Sequence, residues 1–215
     1  MKQITHILWD WNGTLLDDVP ACVRALNIML RRRSLKEVSH RDYRERFHFP
    51  VIDYYRDLGF DFESDDWDTV ALDYHKLYRR FSTGSPLRAG ADRALAALRE
   101  KGLAMSVLSA SNIDLLSVMV SARGIAGFFD GLYGLPNYYA DSKVAAGRQF
   151  LKTAAVNPEN VLVIGDTVHD SEVADELNCR CLLLKGGHQS EERLRRTGCN
   201  IAAEAGEAVE YLARW

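Results

Sequence analysis

The chain has no run approaching the roughly 18 consecutive apolar residues that a membrane span requires, and its opening residues, MKQITHILWDW, lack the apolar core of a secretory signal. A cytoplasmic protein that contacts no membrane is the expectation. Cysteine is scarce: Cys22, Cys179, Cys181 and Cys199 fit no pairing framework or zinc spacing, because Cys-x-Cys inside CRCLLL reads as a buried strand, so all four are expected as reduced thiols. An excess of positive charge is missing too. Lysine and arginine total 27 against 30 aspartates and glutamates, which leaves no clustered positive surface for a phosphate backbone and counts against a nucleic-acid partner. The one basic run, Arg31-Arg32-Arg33, reads as a helix end facing solvent. Repeats and low-complexity tracts are also absent, so organisation must come from periodicity.

What is present suffices for a substantial core, since 47% of 215 residues are hydrophobic, as in soluble globular proteins. Residues 5–9, 103–109, 131–135, 161–165 and 180–184 are short, mostly apolar runs ending in turn residues, the pattern of buried parallel strands. Helical patterns lie between them, with Gly102, Gly124 and Asn157-Pro158 as stops. This alternation predicts a doubly wound α/β unit with a parallel sheet, built from residues 1–16 and 84–215. The stretch 17–83 breaks the rhythm. It has no convincing buried strand and reads as helices inserted after the first strand, a helical cap over the strand ends where open α/β sheets bind ligands.

Four motifs fall at successive strand ends. In ILWDWNGTLLDD (7–18), Asp10 follows an apolar strand, where a carboxylate can ligate a hard cation, attack an electrophile or simply begin a turn. In SVLSASN (106–112), Ser109 could donate to an anion together with the following backbone N–H groups, or cap a helix. In DSK (141–143), Lys143 opens a helix, against the helix dipole; an anion partner explains it, and so does a solvated surface position. In VLVIGDTVHD (161–170), Asp166 and Asp170 stand four apart and repel one another unless a divalent cation sits nearby.

Taken in order and spacing, these motifs resemble the haloacid dehalogenase superfamily, and within it the phosphoglycolate-phosphatase-like phosphatases with a helical cap between the first and second motifs. The resemblance covers nearly the whole chain, although 17–83 matches only in position and helical character. It implies that Asp10 is the nucleophile of an aspartyl-phosphate mechanism. Mg²⁺ would be held by Asp10, Asp166, Asp170 and the backbone carbonyl of Asn12, while Ser109, Ala110 and Lys143 would hold phosphoryl oxygens. It further implies a small phosphorylated metabolite as substrate and a monomer or homodimer.

The departure is at position 12, where the phosphatases of this family usually carry a second aspartate as general acid and base. Asn12 cannot exchange a proton near neutral pH, so hydrolysis of alkyl phosphates is expected to slow by something like the 10²–10⁴-fold that acid–base catalysis contributes. Dehalogenases of the superfamily also lack that aspartate, which leaves a carbon–halogen reaction as one alternative; a catalytically silent phosphate-binding protein is another. His48 could supply the proton from the cap, or be a partly buried cap histidine. His169 reads as an outward-facing helix residue. FHFPVIDYYRDLGF (47–60) is the expected selective surface: Arg46, just before it, and His48 could meet a substrate carboxylate, and Tyr54 and Tyr55 are expected to pack. Asp17-Asp18 reads as the hinge into the cap and as an N-terminal helix cap.

Overall fold

A computed structural model describes residues 3–140 and 142–213, so Asp141 of the DSK motif lies outside the described residues. Its strands are β1 (His6–Trp9), β2 (Ala104–Asn112), β3 (Gly131–Leu135), β4 (Val161–Gly165), β5 (Arg180–Leu184) and β6 (Asn200–Ala202). They form one sheet in the order β3-β2-β1-β4-β5-β6, with every neighbouring pair parallel. Five strands were expected. The sixth, NIA, has only three residues, too few to show any alternation.

The helices of the α/β unit are α5 (Ala91–Glu100), α6 (Ile113–Ala122), α7 (Val144–Ala154), α8 (Val168–Glu176), α9 (Glu191–Arg195) and α10 (Gly206–Ala213). Alternate residues along the central strands feed two cores. Ile7, Trp9, Met105, Val107, Leu162 and Ile164 face one side, whereas Leu8, Leu108, Val161 and Val163 pack against Phe150 of α7 and Val173 and Leu177 of α8. Because both faces are covered, β1 and β4 are buried at every position, which is why they appear in the sequence as mostly apolar runs without polar alternation.

Between β1 and α5 the chain forms α1 (Val19–Arg32), α2 (His40–Arg46), α3 (Val51–Asp57) and α4 (Trp67–Ser82), with no strand. Local signals account for their starts. Pro20 sits at the first turn of α1, Ser39 and Asp42 make a reciprocal capping box on α2, and Asp66 caps α4 by accepting from the Thr69 N–H. Arg31 and Arg32 close α1, where positive charge suits the helix C-terminus. Tyr54 and Tyr55 are both buried. All four cysteines are free thiols.

Chain direction places the function. β1 lies between β2 and β4, so the strand order reverses beside β1, and in open α/β sheets this reversal opens a crevice at the carboxyl edge. Trp9 is in register with both Val107 and Ile164, which brings the residues after β1, β2 and β4 to one level.

Candidate active site

Asp10 is the first residue past β1, anchored by its N–H donating to the Ile164 carbonyl at 2.8 Å. Lys143, at the N-cap position of α7, donates from Nζ to Asp10 Oδ1 at 2.5 Å and lies 2.5 Å from Asp170 Oδ1. Asp170 can face it because of its local role. Its Oδ2 accepts from the N–H groups of Asp166 and Thr167 and from the Thr167 hydroxyl, completing the capping box of α8, and this leaves Oδ1 for the site. Asp166 accepts from the Thr14 hydroxyl at 2.8 Å on one oxygen and from the His188 N–H at 2.5 Å on the other.

Glycine is required on two sides of Asp166. Gly13 has φ +73°, and a Cβ there would collide with the Asp166 carboxylate and the His188 ring; a Cβ on Gly187 would strike the same carboxylate.

Oxygen atoms of Asp10, Asp166 and Asp170 lie within 4.8 Å of one another, and all three residues are buried. Burial, offset only in part by Lys143, pushes the Asp10 carboxyl up to about 8, and burial raises Asp166 as well. Burial acts on Asp170 in the same sense, but Lys143 and the Thr167 hydroxyl together outweigh it and hold that carboxyl low. Lys143 is held charged: burial would depress it, and Asp10 and Asp170 reverse the effect. One ammonium facing three buried carboxylates leaves room for a further positive charge before all three can ionise. The donors are all oxygen, the set a hard divalent cation such as Mg²⁺ takes, so the residues fit that ion.

Asn12 is held on both ends. Its amide donates to Asp18 Oδ2 and to the Tyr78 hydroxyl, each at 2.7 Å, and its Oδ1 accepts from the Ser111 hydroxyl at 2.7 Å and from Ser109 at 3.4 Å. Ser109 is buried behind this contact, whereas Ala110 and Ser111 line the cavity over Asp10.

Other expected positions differ. Arg46 and His48 do not line that cavity: Arg46 donates to the Asp57 carbonyl at 2.8 Å and His48 Nε2 lies 3.1 Å from the Asp57 carboxylate, so the end of α3 captures both. His169 is not outward-facing. It is only 9% exposed and stacks on Phe49, because the turn after α2 brings that ring over the start of α8. Asp18 stands at the N-cap position of α1 but makes no capping bond.

The Asp18 carboxylate instead turns inward, accepting from Asn12, the Gly13 N–H and the Tyr78 hydroxyl, with His188 Nε2 at 3.3 Å. The other ring nitrogen of His188 shares a hydrogen bond with the Tyr43 hydroxyl at 2.8 Å. Burial alone would lower the His188 pKa, but Asp18, followed by Asp166 and Asp10, lifts it to about 9, so an imidazolium–carboxylate pair stands behind Asn12. His188, Asp18, Tyr43, Tyr78 and Ser111 were not anticipated as site residues. For His188 a signal existed: an apolar strand followed by Gly186-Gly187 is the strand-and-turn pattern of the other motifs.

Residues 7–184 match the family model described as haloacid dehalogenase-like hydrolase. The chain is 23% identical over 192 residues to a phosphoglycolate phosphatase of Synechococcus elongatus, covering 87% of each chain. It is 23% identical over 212 residues to an N-acetylmuramic acid 6-phosphate phosphatase of Pseudomonas putida, covering 94% of this chain and 92% of that one. Among solved structures, a haloacid dehalogenase-like hydrolase of Streptococcus pneumoniae shares the fold with a TM-score of 0.85 at 21% identity, over 98% of this chain and 99% of its own.

Proposed function

Because the chain belongs to the haloacid dehalogenase-like hydrolases, we propose that it is a Mg²⁺-dependent phosphohydrolase of a small phosphorylated metabolite, working through an Asp10 phosphoenzyme. The observation that carries this reading is the cluster at the strand-order reversal: Asp10 paired with Lys143 at 2.5 Å, and the Asp166 and Asp170 carboxylates within 4.8 Å. The relatives that are phosphatases of small phosphorylated acids and sugars support it.

In this reading an Asp10 oxygen attacks phosphorus, the ester P–O bond breaks, and the alcohol oxygen leaves with the bonding pair. Water then hydrolyses the aspartyl-phosphate, releasing phosphate and restoring Asp10. Lys143 stands where phosphoryl oxygens gather charge, and the backbone around Ala110 and the Ser111 hydroxyl offer donors on the opposite side. Mg²⁺, held by Asp10, Asp166, Asp170 and the backbone carbonyl of Asn12, would neutralise the repulsion between an anionic nucleophile and an anionic phosphate. Residues 17–83 serve as the cap that closes the site from water.

Asn12 sets the limit of this chemistry. Its amide hydrogens and its oxygen are committed to Asp18, Tyr78 and Ser111, and a carboxamide transfers no proton at pH 7. The site therefore favours esters whose alcohol departs with little protonation. Three carboxylates around one lysine suit a cation-assisted phosphoryl transfer better than a carbon–halogen reaction, which has no dianionic substrate to neutralise.

The test is Mg²⁺-dependent phosphate release from acetyl phosphate and p-nitrophenyl phosphate by the protein and by Asp10→Asn. Turnover that needs Mg²⁺ and disappears in Asp10→Asn is the expected result. Turnover that survives in Asp10→Asn, or that is absent from the unaltered protein, overturns the reading.

A further inference from the structure

A cavity of about 120 Å³ takes in the phosphate site and extends between α1, α2, α3 and α4, where Phe47, Phe49, Tyr54, Tyr55, Trp67 and Tyr74 wall it. Among the described residues, no arginine or glutamate lines it, and its aspartates are those of the catalytic cluster. Its single lysine, Lys143, is already held by Asp10 and Asp170, and His188 is paired with Asp18. The wall's other polar groups are mostly engaged too. The Tyr43 hydroxyl bonds to His188, the Tyr78 hydroxyl donates to Asp18, His75 Nε2 meets the Tyr138 carbonyl, and His169 stacks on Phe49 with Nδ1 at Glu172. Three lining groups are exceptions: the Tyr54 hydroxyl, His75 Nδ1 and His169 Nε2 are buried without a hydrogen-bond partner among the described residues.

Resting on the phosphohydrolase reading, we infer that the alcohol part of the substrate is an uncharged aromatic ring bonded directly to the ester oxygen, so that the protein takes aryl phosphates. Two independent features of the site converge on this. First, a substrate carboxylate in this chamber would be buried without a cation, the costliest group to strip of water, whereas a ring meets six aromatic walls that can pack against its face and edge. The open valences of Tyr54, His75 and His169 admit neutral polar substituents on that ring. Second, Asn12 supplies no proton, and an aryl oxygen leaves as a stabilised phenolate that takes its proton from water. The bonds made and broken are those already given: Asp10 oxygen to phosphorus forms, ester oxygen to phosphorus breaks.

The test separates this from the chemistry of the first step by using ligands that cannot turn over. Benzylphosphonate, phosphonoacetate and inorganic phosphate are titrated into the Mg²⁺-loaded protein by calorimetry, and acetyl phosphate turnover is measured on the same sample. Benzylphosphonate is expected to bind between about tenfold and a hundredfold more tightly than either competitor, the range expected from burying a ring of phenylalanine's size. Equal binding, or tighter binding of phosphonoacetate, overturns the substrate class while acetyl phosphate turnover leaves the phosphohydrolase reading standing. Loss of that turnover with benzylphosphonate still preferred overturns the phosphohydrolase reading and leaves the ring preference.

Discussion

Replacing Asn12 by aspartate should destabilise the protein, and the reason lies in the residue behind it. The Asn12 amide donates to Asp18 Oδ2 at 2.7 Å, and Asp18 is fully buried. Asn12→Asp turns that donor into a second carboxylate oxygen. At an effective dielectric near 20, two unit charges so close repel by about 6 kcal/mol. The pair escapes the full repulsion by taking up a proton, which at pH 7 costs a carboxyl of ordinary pKa about 4 kcal/mol. The His188 imidazolium, 3.3 Å from Asp18, offsets part of this, so about 4 kcal/mol is the ceiling. For a chain of this length that is a fall in Tm of up to roughly 8–16 °C. The deficit should shrink to little more than 1 kcal/mol at pH 5, where the proton is cheap to bind. Thermal unfolding of the protein, Asn12→Asp, Asp18→Asn and the double variant at pH 5 and pH 7.5 completes a cycle. In the double variant the carboxylate and the amide trade positions, which restores one donor facing one acceptor. The shared proton also becomes available to a leaving oxygen, so alkyl phosphate turnover should rise as stability falls. A Tm for Asn12→Asp equal to that of the parent at pH 7.5, or a deficit that Asp18→Asn leaves untouched, refutes the reasoning.

Other expectations follow from the same groups. His188 is lifted from 6.5 to about 9 in the folded chain, so its contribution is complete below about pH 6.5 and fades as pH rises through 9; the shift is worth about 3 kcal/mol, and His188→Gln should flatten the fall in stability between pH 7 and 9.5. A His188→Gln profile with the parent's slope would contradict this. Asp10 is raised to about 8 by burial, so Mg²⁺ binding near pH 7 should expel a proton, and calorimetric enthalpies should vary with buffer ionisation enthalpy; buffer-independent enthalpies would count against it. Lys143→Met leaves Asp10 and Asp170 buried without their cation, a loss of about 3–5 kcal/mol that saturating Mg²⁺ should partly restore, seen as a larger Mg²⁺-induced rise in Tm than in the parent. Gly187→Ala, whose new Cβ meets the Asp166 carboxylate, should weaken Mg²⁺ binding; unchanged affinity would show that the loop yields without cost.

Much of this arrangement is legible in the chain because buried parallel strands leave short, mostly apolar runs, and the residue after each run is delivered to a known edge of the sheet. On that logic Asp10, Lys143, Asp166 and Asp170 fall at strand ends or helix starts along that edge, with a turn left open for Asp10 and a solvated surface position for Lys143; the family resemblance, not the pattern alone, joined them into one site. What stayed hidden depends on neighbours far away in sequence. Asp18 looks like a helix cap from its position alone; that its carboxylate turns inward is decided by Tyr78, sixty residues on, and by His188, beyond β5. His48 and Arg46 looked available for a substrate because their competitor, Asp57, belongs to the next helix, whose orientation no local pattern reports. Asn12 shows the difference most sharply. Read alone it is a catalytic aspartate missing its charge, but in the fold the charge stands one contact away on Asp18, neutralised by His188, and the amide bridges that pair to Ser111. An aspartate at position 12 would conflict with Asp18, so the two positions constrain one another, and the loss of a proton donor at the first is coupled to a buried ion pair at the second.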